Sequence, residues 1–203
     1  MIARLRGQLI EKMPPWVLLD VGGVGYQVEV PLSTFEVLPA LGEQSILLIE
    51  MVVREDAMLL YGFSSEKEKS LFRLLVKVNG IGPKLALAVL SSLSVDAFVQ
   101  AVREKNANLL TKIPGVGKKT AERMVLELAT AVDSIEGAFV LNSASLPLNN
   151  SASGMDMVMR QQAIQALEAL GYKNAEAAQR VDKAWREGAV LSEQIKYALQ
   201  VSL

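Results

Sequence analysis

A short stretch at residues 113–120, IPGVGKKT, has the composition of a site for a negatively charged ligand. Two glycines one residue apart let the backbone turn tightly and bring its N–H groups close to a ligand, because no Cβ is in the way. A helical pattern begins directly afterwards, so the free N–H groups and the positive dipole end of that helix would face the same point. Lys118 and Lys119 add positive charge, and a phosphate oxygen is the expected guest.

This phosphate site does not fit a nucleotide-binding P-loop. That motif requires a glycine, four further residues and then Gly-Lys-Ser/Thr, and it follows a strand. When Gly117 and Lys118 take the Gly-Lys positions, the first glycine falls on Lys112 and the Ser/Thr position falls on Lys119. The preceding residues, NANLLTK, have a helical pattern. We therefore expect the phosphate to belong to a ligand other than a nucleotide cofactor.

The same pattern occurs twice in the chain. VNGIGPKLALAVL at residues 78–90 resembles IPGVGKKTAERMVL at residues 113–126, and both glycines recur after 35 residues. Glycines that serve only as helix caps would explain one copy but not the repeated Gly-x-Gly-x-Lys. The candidate phosphate-binding residues are the glycines and the polar residues around them: Asn79, Gly80, Gly82, Lys84, Gly115, Gly117, Lys118, Lys119 and Arg123.

The charge distribution favours a polyanionic partner for the middle of the chain only. Residues 64–132 contain 11 Lys and Arg against 6 Asp and Glu, a net charge of +5, whereas residues 1–63 carry −4 and residues 133–203 carry −2. The chain has no Cys and no His, so it lacks thiolate ligands and the commonest general base. An enzyme could still use Asp, Glu, Lys or Ser, but the usual catalytic and metal-binding side chains are few.

The sequence also predicts where the protein resides. No apolar run reaches the ~18 residues that indicate a membrane span. Charges at Arg4, Arg6, Glu11 and Lys12 would interrupt the apolar core of a signal peptide. A cytoplasmic protein is therefore expected.

Hydrophobic periodicity predicts an α+β protein with several parts. Residues 1–63 contain five short apolar or alternating strands separated by turn signals, which favours a five-stranded OB-fold barrel. Residues 64–138 change to helical spacing and hold both copies of the repeat. Residues 139–155, rich in Ser, Asn and small residues, predict a flexible linker. Residues 156–203 predict a three-helix domain.

The boundaries of the three C-terminal helices follow from their end signals. Gly171 is expected to close the first helix because glycine readily adopts the conformation that ends a helix. Asn174 and Ser192 are the expected N-terminal caps of the second and third helices.

The repeated pattern of apolar, any residue, Gly, apolar, Gly and then Lys resembles the helix-hairpin-helix motif, which binds the DNA backbone independently of sequence. Two copies in tandem, behind a barrel and ahead of a linker and three helices, resemble the RuvA family of bacterial Holliday junction proteins. The likeness covers nearly the whole chain and includes IARLRG, VGGVGY, VVREDAMLLYGF and ALEALGYK. It implies an OB-fold domain, a tandem helix-hairpin-helix domain and a UBA-like third domain on a flexible tether.

This resemblance also implies a function and partners. The family holds four-way DNA junctions in an open, square form as a homotetramer, and a second tetramer covering the other face would give an octamer. The third domain would recruit RuvB, a hexameric ATPase that drives branch migration in recombination and repair, and the RuvC resolvase is a further candidate partner. The chain itself would be a non-catalytic DNA-binding subunit with no catalytic residue, no metal and no cofactor.

Glu55 and Asp56 lie between two strongly apolar strands, where the tip of a hairpin is expected. By pattern alone they form a polar turn. The resemblance matches them instead to a pair of acids called the acidic pin, with Arg54 as a weaker candidate for a DNA contact beside it. In a fourfold assembly these carboxylates would gather near the junction centre, repel phosphates and disfavour continuous duplex.

Leu167, Leu170 and Tyr172 in the segment ALEALGY have two alternative roles. Their helical spacing indicates first of all a place in the core of the third domain. The functional alternative places some of them on an exposed apolar patch that contacts RuvB.

An enzyme is the main alternative class. DNA glycosylases also use a helix-hairpin-helix, with a catalytic Asp some twenty residues further on, and Asp133 lies 19 residues after Pro114. However, the helix after the hairpin offers no lysine nucleophile beyond the loop itself. A nuclease would need several acids around a metal, and Glu55 with Asp56 has no third ligand nearby by pattern.

A third class is an interaction module whose barrel binds single strands. Tyr61 and Phe63 could stack on bases in such a module. The acidic balance of residues 1–63 speaks against it, and packing of both rings in the core at the end of a strand is expected instead.

Overall fold

A computed structural model describes residues 1–129, 131–132, 152–186 and 188–201. Two compact units divide the chain, Met1–Val140 and Leu141–Leu203. Asp133, considered above for an enzyme, and residues 139–151 of the predicted linker lie outside the described residues.

The first unit opens with a closed five-stranded barrel. Its elements are β1 (Arg4–Met13), β2 (Trp16–Val21), β3 (Val24–Glu29), the short helix α1 (Leu32–Val37), β4 (Gln44–Val53) and β5 (Met58–Phe63). The strand order is β1-β2-β3-β5-β4, and β1 pairs with β4 to close the barrel. All pairs are antiparallel except β3 with β5. The predicted five-stranded barrel is confirmed.

Alternating apolar residues fill the inside of this barrel. Leu9, Val17, Leu19 and Leu47 come from three different strands, and each is fully buried. Because successive side chains of a strand point to opposite faces, the residues between them face outward. The alternation seen in the N-terminal sequence is therefore the origin of this core.

Helices form the rest of the described part of the first unit. They are α2 (Glu66–Leu75), α3 (Pro83–Ser92), α4 (Val95–Arg103), α5 (Ala107–Leu110) and α6 (Lys118–Leu128). Side-chain oxygens of Ser65, Ser94 and Asn106 accept hydrogen bonds from the first turns of α2, α4 and α5. By contrast, α3 and α6 begin at glycines that offer no side-chain cap. These are the second glycines of the two repeat copies.

Aromatic packing joins the barrel to the helices. The ring of Phe72 in α2 lies 5.0 Å from the ring centroids of both Tyr61 and Phe63 in β5. These three aromatic side chains are buried in one core with the helices. The pair Tyr61 and Phe63 thus packs in the core, as expected, and does not offer its rings to bases.

A buried carboxylate forms another contact. Glu68 of α2 is 8% exposed and accepts hydrogen bonds from the hydroxyls of Ser33 at 2.5 Å, Thr34 at 2.9 Å and Ser64 at 2.8 Å. Ser64 also donates its N–H to the same carboxylate at 3.1 Å. Because a buried charge is costly without such partners, this network fixes α2 against α1.

The second unit contains α7 (Ala152–Ala169), α8 (Asn174–Ala184) and α9 (Leu191–Gln200). Buried alanines dominate its small core, together with Leu167 and Val181. The helix α7 begins within the segment that the sequence predicted as linker.

The end signals of these helices are only partly as predicted. Gly171 has a φ of +100° and ends α7, with hydrogen bonds from Gly171 to Glu168 and from Tyr172 to Leu167. The prediction that Asn174 is a cap is wrong, because it is the first residue of α8 and its side-chain amide donates to the Glu168 carboxylate at 2.8 Å. The prediction that Ser192 is a cap is also wrong, because this residue lies inside α9.

Candidate nucleic-acid interface

The two copies of the repeat fold into turns with the same hydrogen bonds. In the first copy Ile81 donates its N–H to Val78 at 3.1 Å, and in the second Val116 donates to Ile113 at 3.0 Å. The carbonyls of Gly82 and Gly117 then accept the first bonds of α3 and α6, at 3.0 and 2.9 Å. The sequence repeat is therefore a structural repeat.

The first glycine of each copy makes the turn possible. Gly80 has a φ of +89° and Gly115 a φ of +84°. Each is the third residue of a four-residue turn, a position where type II turns require positive φ. An L side chain is strained in this region, so the glycines serve the backbone conformation.

The second glycine of each copy leaves space at the start of a helix. Gly82 and Gly117 have extended backbones, with φ of −86° and −82° that suit any residue. A Cβ added at either position would meet no atom within 4 Å. Their conformation does not require glycine, so the open space itself indicates room for a ligand that comes close to the backbone.

Backbone donors are left free at both turns. Within the part of the chain that the structure describes, the N–H groups of Gly80, Gly82, Gly115 and Gly117 donate to no acceptor. The first N–H groups of any helix also lack partners inside the helix. Each turn therefore combines free donors with the positive end of a helix dipole, which is an arrangement suited to phosphate oxygens.

Lysines lie beside these donors. Lys84 is in the first turn of α3, and Lys118 and Lys119 begin α6; all three are exposed. They make no hydrogen bond or ion pair with any residue in the described ranges. Their ammonium groups are thus available to an anion at the turns.

Arg123 is placed differently from the lysines. Its Nη1 donates to the carbonyl oxygen of Asn79 in the first turn at 2.9 Å, and its Nε lies 3.7 Å from the Glu127 carboxylate. The side chain is 48% exposed. Asn79 thus enters the site through its carbonyl, and Arg123 connects the two copies.

The predicted acidic pair lies at an exposed hairpin tip. Glu55 and Asp56 form the turn between β4 and β5, which the N–H of Arg54 closes by donating to Ala57 at 2.8 Å. Both acids and Arg54 are exposed. Among the described residues, no group of three or more His, Cys, Asp or Glu could hold a metal ion.

Tyr61 is the one group near this hairpin with a clear pKa shift. Burial raises the pKa of Tyr61, the Glu29 carboxylate raises it further, and Arg54 lowers it. The hydroxyl stays protonated at neutral pH because the shift is upward from 10.0.

The three candidate partner-binding residues of the second unit differ in exposure. Leu167 is fully buried, whereas Leu170 is 62% exposed. Tyr172 is partly buried, and the guanidinium of Arg180 lies 4.7 Å from its ring centroid. The structure thus places Leu167 in the core and presents Leu170 at the surface.

Among the described residues, no single helix is long and apolar enough to cross a membrane. One pair, Pro83–Ser92 with Val95–Arg103, meets the length and composition criterion only when both helices are counted, and it is bent by 97°.

A barrel followed by two helix-hairpin-helix turns defines a class of protein, the tandem helix-hairpin-helix proteins. A family model described as "SAM-like Helix-hairpin-helix tandem" matches residues 72–130, which contain both turns. Models described as "RuvA N terminal domain" and "RuvA, C-terminal domain" match residues 1–62 and 158–202. The chain belongs to the RuvA family.

Curated relatives agree with this assignment over the full length. A protein of Serratia proteamaculans (strain 568) is 47% identical over 203 residues, which cover 100% of both chains. Proteins of Yersinia enterocolitica and Escherichia coli O9:H4 (strain HS) are each 47% identical, with complete coverage of both chains. All three are named "Holliday junction branch migration complex subunit RuvA".

Sequence reasoning missed one residue at these turns. The Leu85 Cδ1 atom lies 3.2 Å from the position that a Cβ on Gly115 would occupy. In the sequence Leu85 looks like any apolar helix residue, and no local pattern connects it with a turn thirty positions further on.

Alanine substitutions separate the two roles of the glycines. We expect Gly115→Ala to lower the free energy of unfolding by about 1–2 kcal/mol, because alanine is strained at positive φ. Gly117→Ala should cost less stability, since its φ suits alanine and the added Cβ meets no atom. It should nevertheless weaken DNA binding by about tenfold, because the methyl group occupies the space that a phosphate needs.

Chemical denaturation and fluorescence anisotropy with labelled DNA measure the two effects. The matched pair Gly80→Ala and Gly82→Ala in the first turn should repeat the contrast. Wild-type DNA affinity of a folded Gly117→Ala protein would contradict the assignment of this turn.

Proposed function

We propose that this protein binds four-way DNA junctions through the DNA backbone and serves as the DNA-binding subunit of a branch migration complex. The single observation that carries the proposal is the duplicated turn with unpaired N–H donors at two helix starts. Membership of a family whose named relatives are subunits of such a complex supports it. The role would lie in DNA recombination and repair.

The chemistry of the turns suits a protein that must act at any sequence. Backbone N–H groups and lysines contact phosphates, which position a protein on DNA without reporting which bases are present. In this mechanism the donors are Gly80, Gly82, Gly115 and Gly117. The lysines Lys84, Lys118 and Lys119 supply charge around them.

The acidic hairpin tip supplies the preference for a junction over a duplex. Glu55 and Asp56 are exposed and have no cation paired with them in the described part of the chain. In a homotetramer around a fourfold junction, these carboxylates meet near the centre, where strands separate. Like charges repel there, so a continuous duplex is disfavoured while four diverging arms are tolerated.

The second unit recruits the motor in this proposal. Its exposed Leu170, with Tyr172 beside it, contacts the hexameric ATPase RuvB. ATP hydrolysis and strand movement belong to RuvB, and the chain itself is non-catalytic and needs no cofactor. RuvC is a further candidate partner, an octamer of two tetramers is the larger assembly, and the cytoplasm is the place of action.

A glycosylase or a metal-dependent nuclease is the less supported function. The exposed acids at the hairpin tip lack a third ligand among the described residues. The rings of Tyr61 and Phe63 are buried, so a barrel that stacks single-stranded bases on them is not favoured either.

Neutralising the acidic tip should relax the preference for junctions. Glu55→Gln combined with Asp56→Asn removes the repulsion, so we expect affinity for linear duplex to rise by about tenfold while junction affinity changes less. Gel-shift titration with a four-way junction and a duplex of equal length measures both.

Glu11→Gln combined with Glu36→Gln is the matched control, because it removes two exposed charges elsewhere on the barrel. If the control raised duplex affinity as much as the variant at the tip, net charge rather than the tip would set the preference. The same incubations in Mg²⁺ test for strand cleavage, and none is expected.

A charge on the proposed RuvB-binding surface should affect stimulation of the motor but not junction binding. We expect Leu170→Asp to leave junction binding unchanged and to reduce stimulation of RuvB ATPase activity by about tenfold or more, since an aspartate disrupts an apolar contact. Val190→Asp, at a 58% exposed position of the same unit, is the control. Full stimulation by the Leu170→Asp protein would show that the contact lies elsewhere.

A further inference from the structure

A side chain from each copy of the repeat lies against the turn of the other copy. Arg123, on the helix of the second copy, donates its Nη1 to the carbonyl oxygen of Asn79 in the first turn at 2.9 Å. The same nitrogen lies 3.8 Å from the position that a Cβ on Gly80 would occupy. Conversely, Leu85 on the helix of the first copy lies 3.2 Å from the position that a Cβ on Gly115 would occupy.

The geometry of Arg123 is that of a connecting residue. Its guanidinium donates a hydrogen bond to the Asn79 carbonyl through Nη1 and forms an ion pair with the Glu127 carboxylate through Nε, at 3.7 Å. A planar guanidinium with several N–H groups suits such a position, whereas a lysine has a single ammonium group at the end of a shorter chain. The connected residues lie 44 positions apart, so no local structure imposes the contact.

The contact also matters for charge at the first turn. The guanidinium lies at the Asn79 carbonyl oxygen and close to Gly80. A cation of the second copy therefore stands beside the first turn and adds positive charge to it.

We propose that Arg123 is a positioning residue that locks the two turns into one clamp with a fixed distance between its two phosphate sites. The inference rests on the proposed function and adds to it that the first phosphate site depends on a side chain of the second copy. Loss of the Arg123 link would displace the first turn even though the substituted residue belongs to the second copy. Leu85 completes the link on the other side.

Arg123→Lys tests the proposal because it keeps the charge and removes the planar group. In the free protein, ¹⁵N spectra should show shifted amide signals for Gly80, Ile81 and Gly82 of the first turn. Lys119→Gln changes the same helix without touching Asn79, and it should leave those signals in place. This readout needs no DNA, so it decides the link even if junction binding itself were disproved.

Binding measurements then test whether the first turn depends on Arg123. We expect Arg123→Lys to weaken junction binding by about tenfold with an unchanged salt dependence. Adding Lys84→Ala to it should cost less than Lys84→Ala costs in the wild type, because the first turn is already displaced. For the pair Lys84→Ala and Lys119→Ala, the two losses should multiply.

Two results would overturn the proposal. The first is that the Gly80 and Gly82 amide signals of the Arg123→Lys protein are the same as those of the wild type. The second is that its loss of affinity multiplies with that of Lys84→Ala, as for two independent contacts.

Discussion

A helix cannot satisfy the N–H groups of its own first turn, and the site on this protein is built from that constraint. Three helices of the first unit solve it with a side-chain oxygen, as Ser65, Ser94 and Asn106 show. The helices α3 and α6 instead begin at glycines with open space in front of them. Their donors stay available to solvent and, in the proposed function, to phosphate oxygens.

The remaining parts of the first unit hold these helix starts in place. Phe72 packs against Tyr61 and Phe63. Glu68 accepts hydrogen bonds from the hydroxyls of Ser33, Thr34 and Ser64. These contacts fix α2 to the barrel that carries the acidic hairpin. A single unit therefore holds both the groups that we propose attract phosphates and the carboxylates that we propose repel them. Because these two effects oppose each other, we infer that their placement determines which shape of DNA is accepted.

The local sequence patterns predicted those structural features that interactions between neighbouring residues determine. The barrel follows from alternation, the duplicated turn from glycine spacing, and the end of α7 from Gly171. The prediction that Asn174 caps a helix was wrong because its side-chain amide donates to Glu168 instead. The prediction for Ser192 was wrong because α9 starts earlier, where Glu193 accepts the N–H of Val190 at 3.3 Å. The contacts of Arg123 with Asn79 and of Leu85 with Gly115 could not be predicted, since they join residues that only the tertiary fold brings together.

The salt dependence of binding to four-way junctions of unrelated sequence tests the central claim, that the turns hold DNA by its phosphates. If four chains each neutralise at least one phosphate, the logarithm of affinity should fall with the logarithm of salt concentration with a slope of about −3.6 or steeper. Slope and affinity should be alike for all sequences. A slope within about one unit of zero, or affinities that follow the base sequence, would contradict the claim.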